Sequence, residues 1–169
     1  SSKRGYVLAL DQGTTSTRCI IFDAHGKIIS SSHMEHRQIF PRPGWVEHDP
    51  EEIRRNTRRV MADAAASHDI PMEDFAAVGI TNQRETTVVW DRNTGKPIYN
   101  AIVWQDTRTD KIVNALSDEQ KAMIFERTGL NASTYFAGPK IRWILDNVDG
   151  AREKAENGEL AFGTIDSWL

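Results

Sequence analysis

The chain predicts an α/β fold, a mixed β-sheet flanked by helices. Three observations carry that expectation. Apolar stretches of strand length at 6–10, 18–23 and 27–33 lie so close together that only tight connections can join them. A strongly capped helix begins at Asp49. Beyond it, short apolar strands alternate with segments of helical periodicity.

The elements follow in order. The first two strands are joined through Gly13, and the second and third through Asp23-Ala24-His25-Gly26-Lys27, a hairpin sequence. Pro41, Pro43 and Gly44 then keep the backbone irregular. Asp49 is a good N-cap, Pro50 suits the first helical position, and Glu51 and Glu52 favour the positive end of the helix dipole. Ile53, Thr57, Val60, Met61 and Ala64 place one face of this helix on a core, and it should stop near His68, before Pro71. The run 76–81 reads as a buried strand, 86–90 as another, 91–96 as a turn, and 101–104 as a short strand ending on Trp104. Helices are expected over about 109–116, 118–127 and 139–148. The C-terminal stretch reads as a strand and then a helix start capped by Asp166. A chain that stops where a helix begins is expected to be the N-terminal part of a longer protein, an incomplete first domain.

Composition narrows the function classes. Lys and Arg number 21 against 24 Asp and Glu, so nucleic-acid binding driven by net positive charge is not expected. No apolar run reaches the roughly 18 residues of a membrane span. The opening Ser1-Ser2-Lys3-Arg4-Gly5 is too short for a signal peptide. Cys19 is the one cysteine and starts an apolar strand, which suits a core thiol in a reducing cytoplasm.

The segment Leu10-Asp11-Gln12-Gly13-Thr14-Thr15-Ser16-Thr17-Arg18 carries the first chemistry. Gly13 lets the backbone approach an anion, consecutive N–H groups of a turn can form an anion cradle, and three hydroxyls add donors. Asp11 offers oxygen ligands of the kind Mg²⁺ takes beside phosphates. A plain hairpin turn explains the same residues. No Gly-Lys-Ser/Thr follows, so this is not a P-loop. A strand follows instead of a helix, so it is not a dinucleotide-binding turn.

A second polar run, Thr81-Asn82-Gln83-Arg84-Glu85-Thr86-Thr87, sits between two apolar strands. An Arg fork beside a carboxylate suits vicinal hydroxyls, donating to one oxygen and accepting from a hydroxyl; a surface ion pair is the alternative. Trp104 could cover the carbon side of a small polyol or simply fill the core. Tyr135 offers a hydroxyl and an apolar face, and packing alone also accounts for it. His36, Arg37, Arg42 and His48 read as surface or packing residues.

Taken together, Leu10–Ser16, Pro43–Pro50, Gly79–Thr87, Asn100–Gln105 and Phe162–Leu169 resemble the glycerol kinases, the glycerol-specific branch of the carbohydrate kinases with two actin-like, ribonuclease-H-like domains. The resemblance implies transfer of a phosphoryl group from ATP to glycerol with Mg²⁺. It implies that Arg84, Glu85 and Tyr135 bind the glycerol hydroxyls and that Trp104 lines the carbon face. Thr14, Thr15, Ser16 and Arg18 would lie at the ATP phosphates, Thr14 also at the phosphoryl group of the product, and Asp11 would hold the metal. The catalytic base, an Asp, would lie beyond Leu169, so the 169 residues alone would be inactive. The family resemblance further implies a cytoplasmic enzyme whose full-length form can be a homo-oligomer. Two other readings stay open: a kinase of another polyol or sugar, and a non-catalytic actin-like ATP-binding module.

Overall fold

The computed structural model describes residues 5–169. The segment Ser1–Arg4, part of the stretch read as too short for a signal peptide, lies outside the described residues. The chain divides into two compact units. Unit 1 comprises 1–37, 49–83 and Leu169, and unit 2 comprises 38–48 and 84–168.

Unit 1 is a four-stranded sheet with one long helix. Strands β1 (Tyr6–Gln12), β2 (Ser16–Phe22), β3 (Ile28–Glu35) and β5 (Phe75–Asn82) lie in the order β3-β2-β1-β5. The first three form an antiparallel meander, and β5 joins β1 in parallel, so the sheet is mixed. Alternation along β1 puts Leu8, Leu10 and Gln12 on the buried face and Asp11 on the other. Helix α1 (Pro50–Ala66) packs on β2 and β3 through Ile53, Thr57, Val60 and Ala64. The Asp49 carboxylate accepts from the Glu51 N–H at 2.9 Å, a cap of the kind that contributes about 1 kcal/mol. Leu8, Leu10, Cys19, Ile21, Val60, Ala64 and Ile70 make the core. Burial lifts the Cys19 thiol to about 11, so it packs as an inert apolar group. A single 3₁₀ turn, Met72–Asp74, leads into β5.

The sequence predicts a buried strand at 76–81. The strand forms, but its side chains are exposed, with Val78 at 51% and Ile80 at 46%. It lies at the edge of the described sheet, with β1 on one side only.

Unit 2 is built from two β-ribbons and short helices. β4 (Glu47–His48) pairs with β7 (Ala101–Ile102), and β6 (Val88–Asp91) pairs with β8 (Leu160–Gly163), both antiparallel. The helices are α2 (Asp110–Asn114), α3 (Asp118–Thr128), α4 (Ala137–Asn147), α5 (Ala151–Glu156) and α6 (Ile165–Trp168). Val89, Ile102 and Ile144 form its core with Tyr99 and Trp143 against them.

Several boundaries move for local reasons. Helix α3 starts at a Ser117–Gln120 capping box. Helix α4 starts at Ala137, ahead of Pro139, because proline is tolerated in a first turn, where its missing N–H costs nothing. Strand β7 ends at Ile102, and Trp104 lies in a turn closed by the Asp106 N–H on the Val103 carbonyl at 2.9 Å. Helix α6 begins at Ile165, so Asp166 sits inside its first turn rather than capping it, and its carboxylate meets the Thr164 hydroxyl. The two-residue β4 and the six-residue α5 are too short to leave a periodic signal.

Candidate functional site

In unit 1 the turn 11–18 closes β1 onto β2. Asp11 pairs in register with Arg18 on one side and with Thr81 on the other, so all three share the exposed face of the sheet near its end. Asp11, Thr15 and Arg18 are exposed, and Thr14 and Ser16 are half-buried. The Gly13 N–H donates to the Ser16 carbonyl at 2.8 Å. A Cβ on Gly13 would lie 3.3 Å from that carbonyl oxygen. A side chain there would crowd the hairpin's own closure, and the Gly13 N–H is spent inside the turn.

Beneath the turn lies a brace the sequence reading missed. Gln12 is fully buried, and its Nε2 donates to the Gly13 carbonyl at 2.8 Å. Gln83 Nε2 donates to the same carbonyl at 3.2 Å and to Gln12 Oε1 at 3.1 Å. The His36 N–H donates to the Thr15 carbonyl at 3.2 Å. Its ring, read as a surface or packing residue, is 7% exposed. Burial pushes the His36 pKa down against the opposing pull of the Thr14 backbone and of Glu52, so the brace is neutral. The alternating Gln at the end of an otherwise apolar face was the signal available for it. Arg37, as read, is a surface group, paired with Glu52 at 3.2 Å.

Asp11 is also the residue to test against a metal. Among the described residues no cluster of three or more His, Cys, Asp or Glu could hold an ion. Asp11 supplies one exposed carboxylate, a donor of the kind Mg²⁺ takes together with waters and phosphate oxygens.

In unit 2, Arg84 is exposed and Glu85 half-buried. Glu85 has φ +67°, a left-handed backbone that an ordinary side chain adopts at a cost of about 1 kcal/mol or more. Its Oε2 accepts from the Ala137 N–H at 3.0 Å. The carboxylate thus caps α4, whose N-cap residue Phe136 supplies no side-chain bond. An apolar cavity of about 370 Å³ lies beside it, lined by Val113, Leu116, Ile124, Leu130 and Phe136. Trp104 and Tyr135 form an aromatic corner, centroids 6.1 Å apart and nearly perpendicular, and Phe136 stacks edge-on to Tyr135 at 5.1 Å. The Trp104 N–H donates to the Thr86 hydroxyl at 3.2 Å.

Unit 2 also holds a buried ionic network. The Arg108 side chain is fully buried, with Glu47 and Asp106 almost so. Its guanidinium donates to Asp106 and Glu47, each at 2.7 Å, and to the Tyr99 hydroxyl at 3.2 Å. It lies 3.9 Å from the Trp45 ring centroid and 4.6 Å from that of Trp143. Burial works against the Arg108 charge, but the bonds to Asp106 and Glu47 outweigh it and hold its pKa above the ordinary value. Asp106 also accepts from the Val46 N–H at 2.7 Å, and Asn100 donates to Glu47 at 3.0 Å. Gly44 admits this packing: it has φ +79°, and a Cβ there would lie 2.6 Å from Thr107 Oγ1. His48, read as surface or packing, is fully buried against Gln38 at 2.7 Å.

Comparison with known proteins supplies the family. The profile of the FGGY family of carbohydrate kinases, N-terminal domain, matches residues 6–169. Glycerol kinase of Saccharopolyspora erythraea is 65% identical over 165 residues, which are 97% of this chain and 33% of that one. Glycerol kinase of Nocardia farcinica is 64% identical over 167 residues, 98% of this chain and 34% of the relative. Among solved structures, Plasmodium falciparum glycerol kinase with ADP is 38% identical with a TM-score of 0.89, covering 98% of this chain and 33% of its own. A xylulose kinase from Lactobacillus acidophilus shares the fold alone, at 20% identity and a TM-score of 0.81, over 97% of this chain and 32% of its own. The chain spans about a third of the length of these relatives. With the mixed sheet, the hairpin turn of β1 and β2 and the profile match over nearly all its residues, the chain belongs to the FGGY family of carbohydrate kinases, with the actin-like α/β fold of that family.

Proposed function

We propose that the full-length protein transfers the γ-phosphoryl group of ATP to a terminal hydroxyl of glycerol, giving sn-glycerol 3-phosphate. In this reading the 169 residues are the N-terminal part of its first actin-like domain. The observation that carries the reading is the corner of unit 2. There a strained Glu85 has one oxygen committed to α4, next to Arg84 and to the Trp104–Tyr135 aromatic pair. Similarity to glycerol kinases supports it.

Arg84 donates to one glycerol oxygen, while Glu85 and Tyr135 bond the other hydroxyls. Trp104 covers the carbons. Such a site rejects analogues that lack a hydroxyl, because its own polar groups would be left unpaired. Thr14, Thr15, Ser16 and Arg18 meet the phosphates through hydroxyls, peptide N–H groups and the guanidinium, and Thr14 also faces the transferred group. Asp11 would hold Mg²⁺, which would supply neutralisation of phosphate charge. The glycerol oxygen forms its bond to the γ-phosphorus as the bond to ADP breaks. The hydroxyl proton passes to an Asp of the full-length protein outside these residues. The protein's own contribution is positioning and charge stabilisation. The reading carries a cytoplasmic location, favoured by the single unpaired thiol, and a homo-oligomeric full-length enzyme, which light scattering tests.

The test is glycerol-dependent ADP release by the full-length protein. Arg84→Ala should raise the glycerol KM at least tenfold. An unchanged glycerol KM, with faster turnover of a larger sugar, would assign the site to another polyol.

A further inference from the structure

Lys140 is a buried cation to which the proposed chemistry gives no role and which, unlike Arg108, has no carboxylate within ion-pair distance among the described residues. It sits in the first turn of α4 with its side chain fully buried. Its Nζ donates to the Tyr135 carbonyl at 2.5 Å and to the Phe136 carbonyl at 3.2 Å. An ammonium at the positive end of a helix dipole is electrostatically misplaced, and lysine is almost never fully buried unless paired. Two carboxylates face it, Glu85 from the link after β5 and Asp106 from the turn after β7. Asp106 is already matched by Arg108. The Glu85 charge is therefore the one left for Lys140 to balance.

We infer that Lys140 is a positioning residue of the polyol corner: it fixes the Tyr135 and Phe136 peptides and balances the Glu85 carboxylate, so that Tyr135 and Glu85 stand ready for hydroxyls. This rests on the reading of that corner as the glycerol site. Three threads meet at one ammonium. It grips the backbone that carries the Tyr135 ring. It offsets the charge of the carboxylate that caps the same helix. It also does both from a fully buried position, where a lysine stays only when it is paired. Burial pulls the Lys140 pKa down to about 8 against the upward pull of Glu85 and Asp106. The group is charged near neutrality and loses its proton in mildly alkaline solution.

The experiment uses the full-length protein, with glycerol and ATP varied separately. Wild type must first turn over glycerol; failure there sinks the functional reading itself. Given turnover, Lys140→Met should raise the glycerol KM at least tenfold while the ATP KM stays within twofold. Lys140→Arg, which keeps the charge, should recover most of the glycerol affinity. A purely structural lysine lowers the melting temperature with the glycerol KM within twofold of wild type, and that result overturns the inference. The wild-type protein supplies a test that needs no substitution. Its glycerol KM should climb as pH passes about 8, with the ATP KM flat. A glycerol KM flat from pH 7 to 9.5 also overturns the inference.

Discussion

The two units bury polar groups of different kinds. Unit 1 buries neutral ones: Gln12, Gln83, Asn56, Thr17, Thr57 and a His36 whose charge is suppressed. Unit 2 buries the neutral Thr86, Thr87 and Thr109 as well, and adds charges: Arg108, Glu47, Asp106 and Lys140. Each choice suits the ligand proposed for it. A turn that is to meet phosphates and a metal keeps its charges, Asp11 and Arg18, on the exposed face and is braced by amides that add no competing field. A corner that is to meet an uncharged polyol gains nothing from net charge but needs fixed hydrogen-bonding directions. Buried ion pairs hold such directions rigidly once every donor and acceptor is satisfied. The cost is fragility, because removing one partner strands the others.

That contrast breaks first at Arg108. Arg108→Met leaves Glu47 and Asp106 buried without their cation and should cost about 3–5 kcal/mol, read by urea denaturation. A loss below about 1 kcal/mol would mean the charges do not hold unit 2. Next is Gln83→Ala, which takes a donor from both Gly13 and Gln12 and should cost about 1–3 kcal/mol. It should raise the ATP KM more than the glycerol KM; the reverse order would detach the brace from the phosphate turn. A smaller effect attaches to His36. Burial holds its folded pKa below the ordinary value, so the unfolded chain takes up the proton first on acidification. The stability due to neutral His36 is complete above about pH 6.5 and is lost as pH falls through the depressed value. Thermal melts from pH 7 to 5 should show this slope, and His36→Asn should flatten it. The least effect on folding is expected from Asp11→Ala. Its side chain is exposed and makes no ion pair among the described residues, so the melting temperature should stay put while Mg·ATP-dependent turnover falls at least tenfold. A collapse of glycerol affinity with normal metal dependence would contradict the role given to Asp11.

Much of unit 1 was legible because its signals are local. Period-two alternation in β1, the Asp49-Pro50 start of α1 and its Ile53–Ala64 stripe each depend on a few neighbouring residues. Unit 2 was legible in its polar motif and much less in its construction. Arg108 and Glu47 stand 61 positions apart, and Glu85 and Ala137 stand 52 apart. No periodicity links such pairs, and a charged residue read singly defaults to the surface. The exposure of β5 was hidden for a related reason. An apolar strand reads as buried whether or not a neighbour covers it, and only the sheet order tells the two apart. Asp11, Thr14, Thr15, Ser16, Arg18, Arg84 and Glu85 were proposed as site residues from short polar motifs, and Trp104 and Tyr135 from the family resemblance. The bracing bonds of Gln12, Gln83 and Lys140 were not legible, because holding a loop from beneath leaves no motif.

The distribution of two residue types gives the protein a pair of built-in reporters. Its single thiol, Cys19, is wholly enclosed in the core of unit 1. All five tryptophans, Trp45, Trp90, Trp104, Trp143 and Trp168, belong to unit 2. A thiol reagent therefore counts openings of one unit, while indole emission follows the other, with no label introduced. Comparing the two clocks on the same sample shows directly whether the units come apart together or in turn.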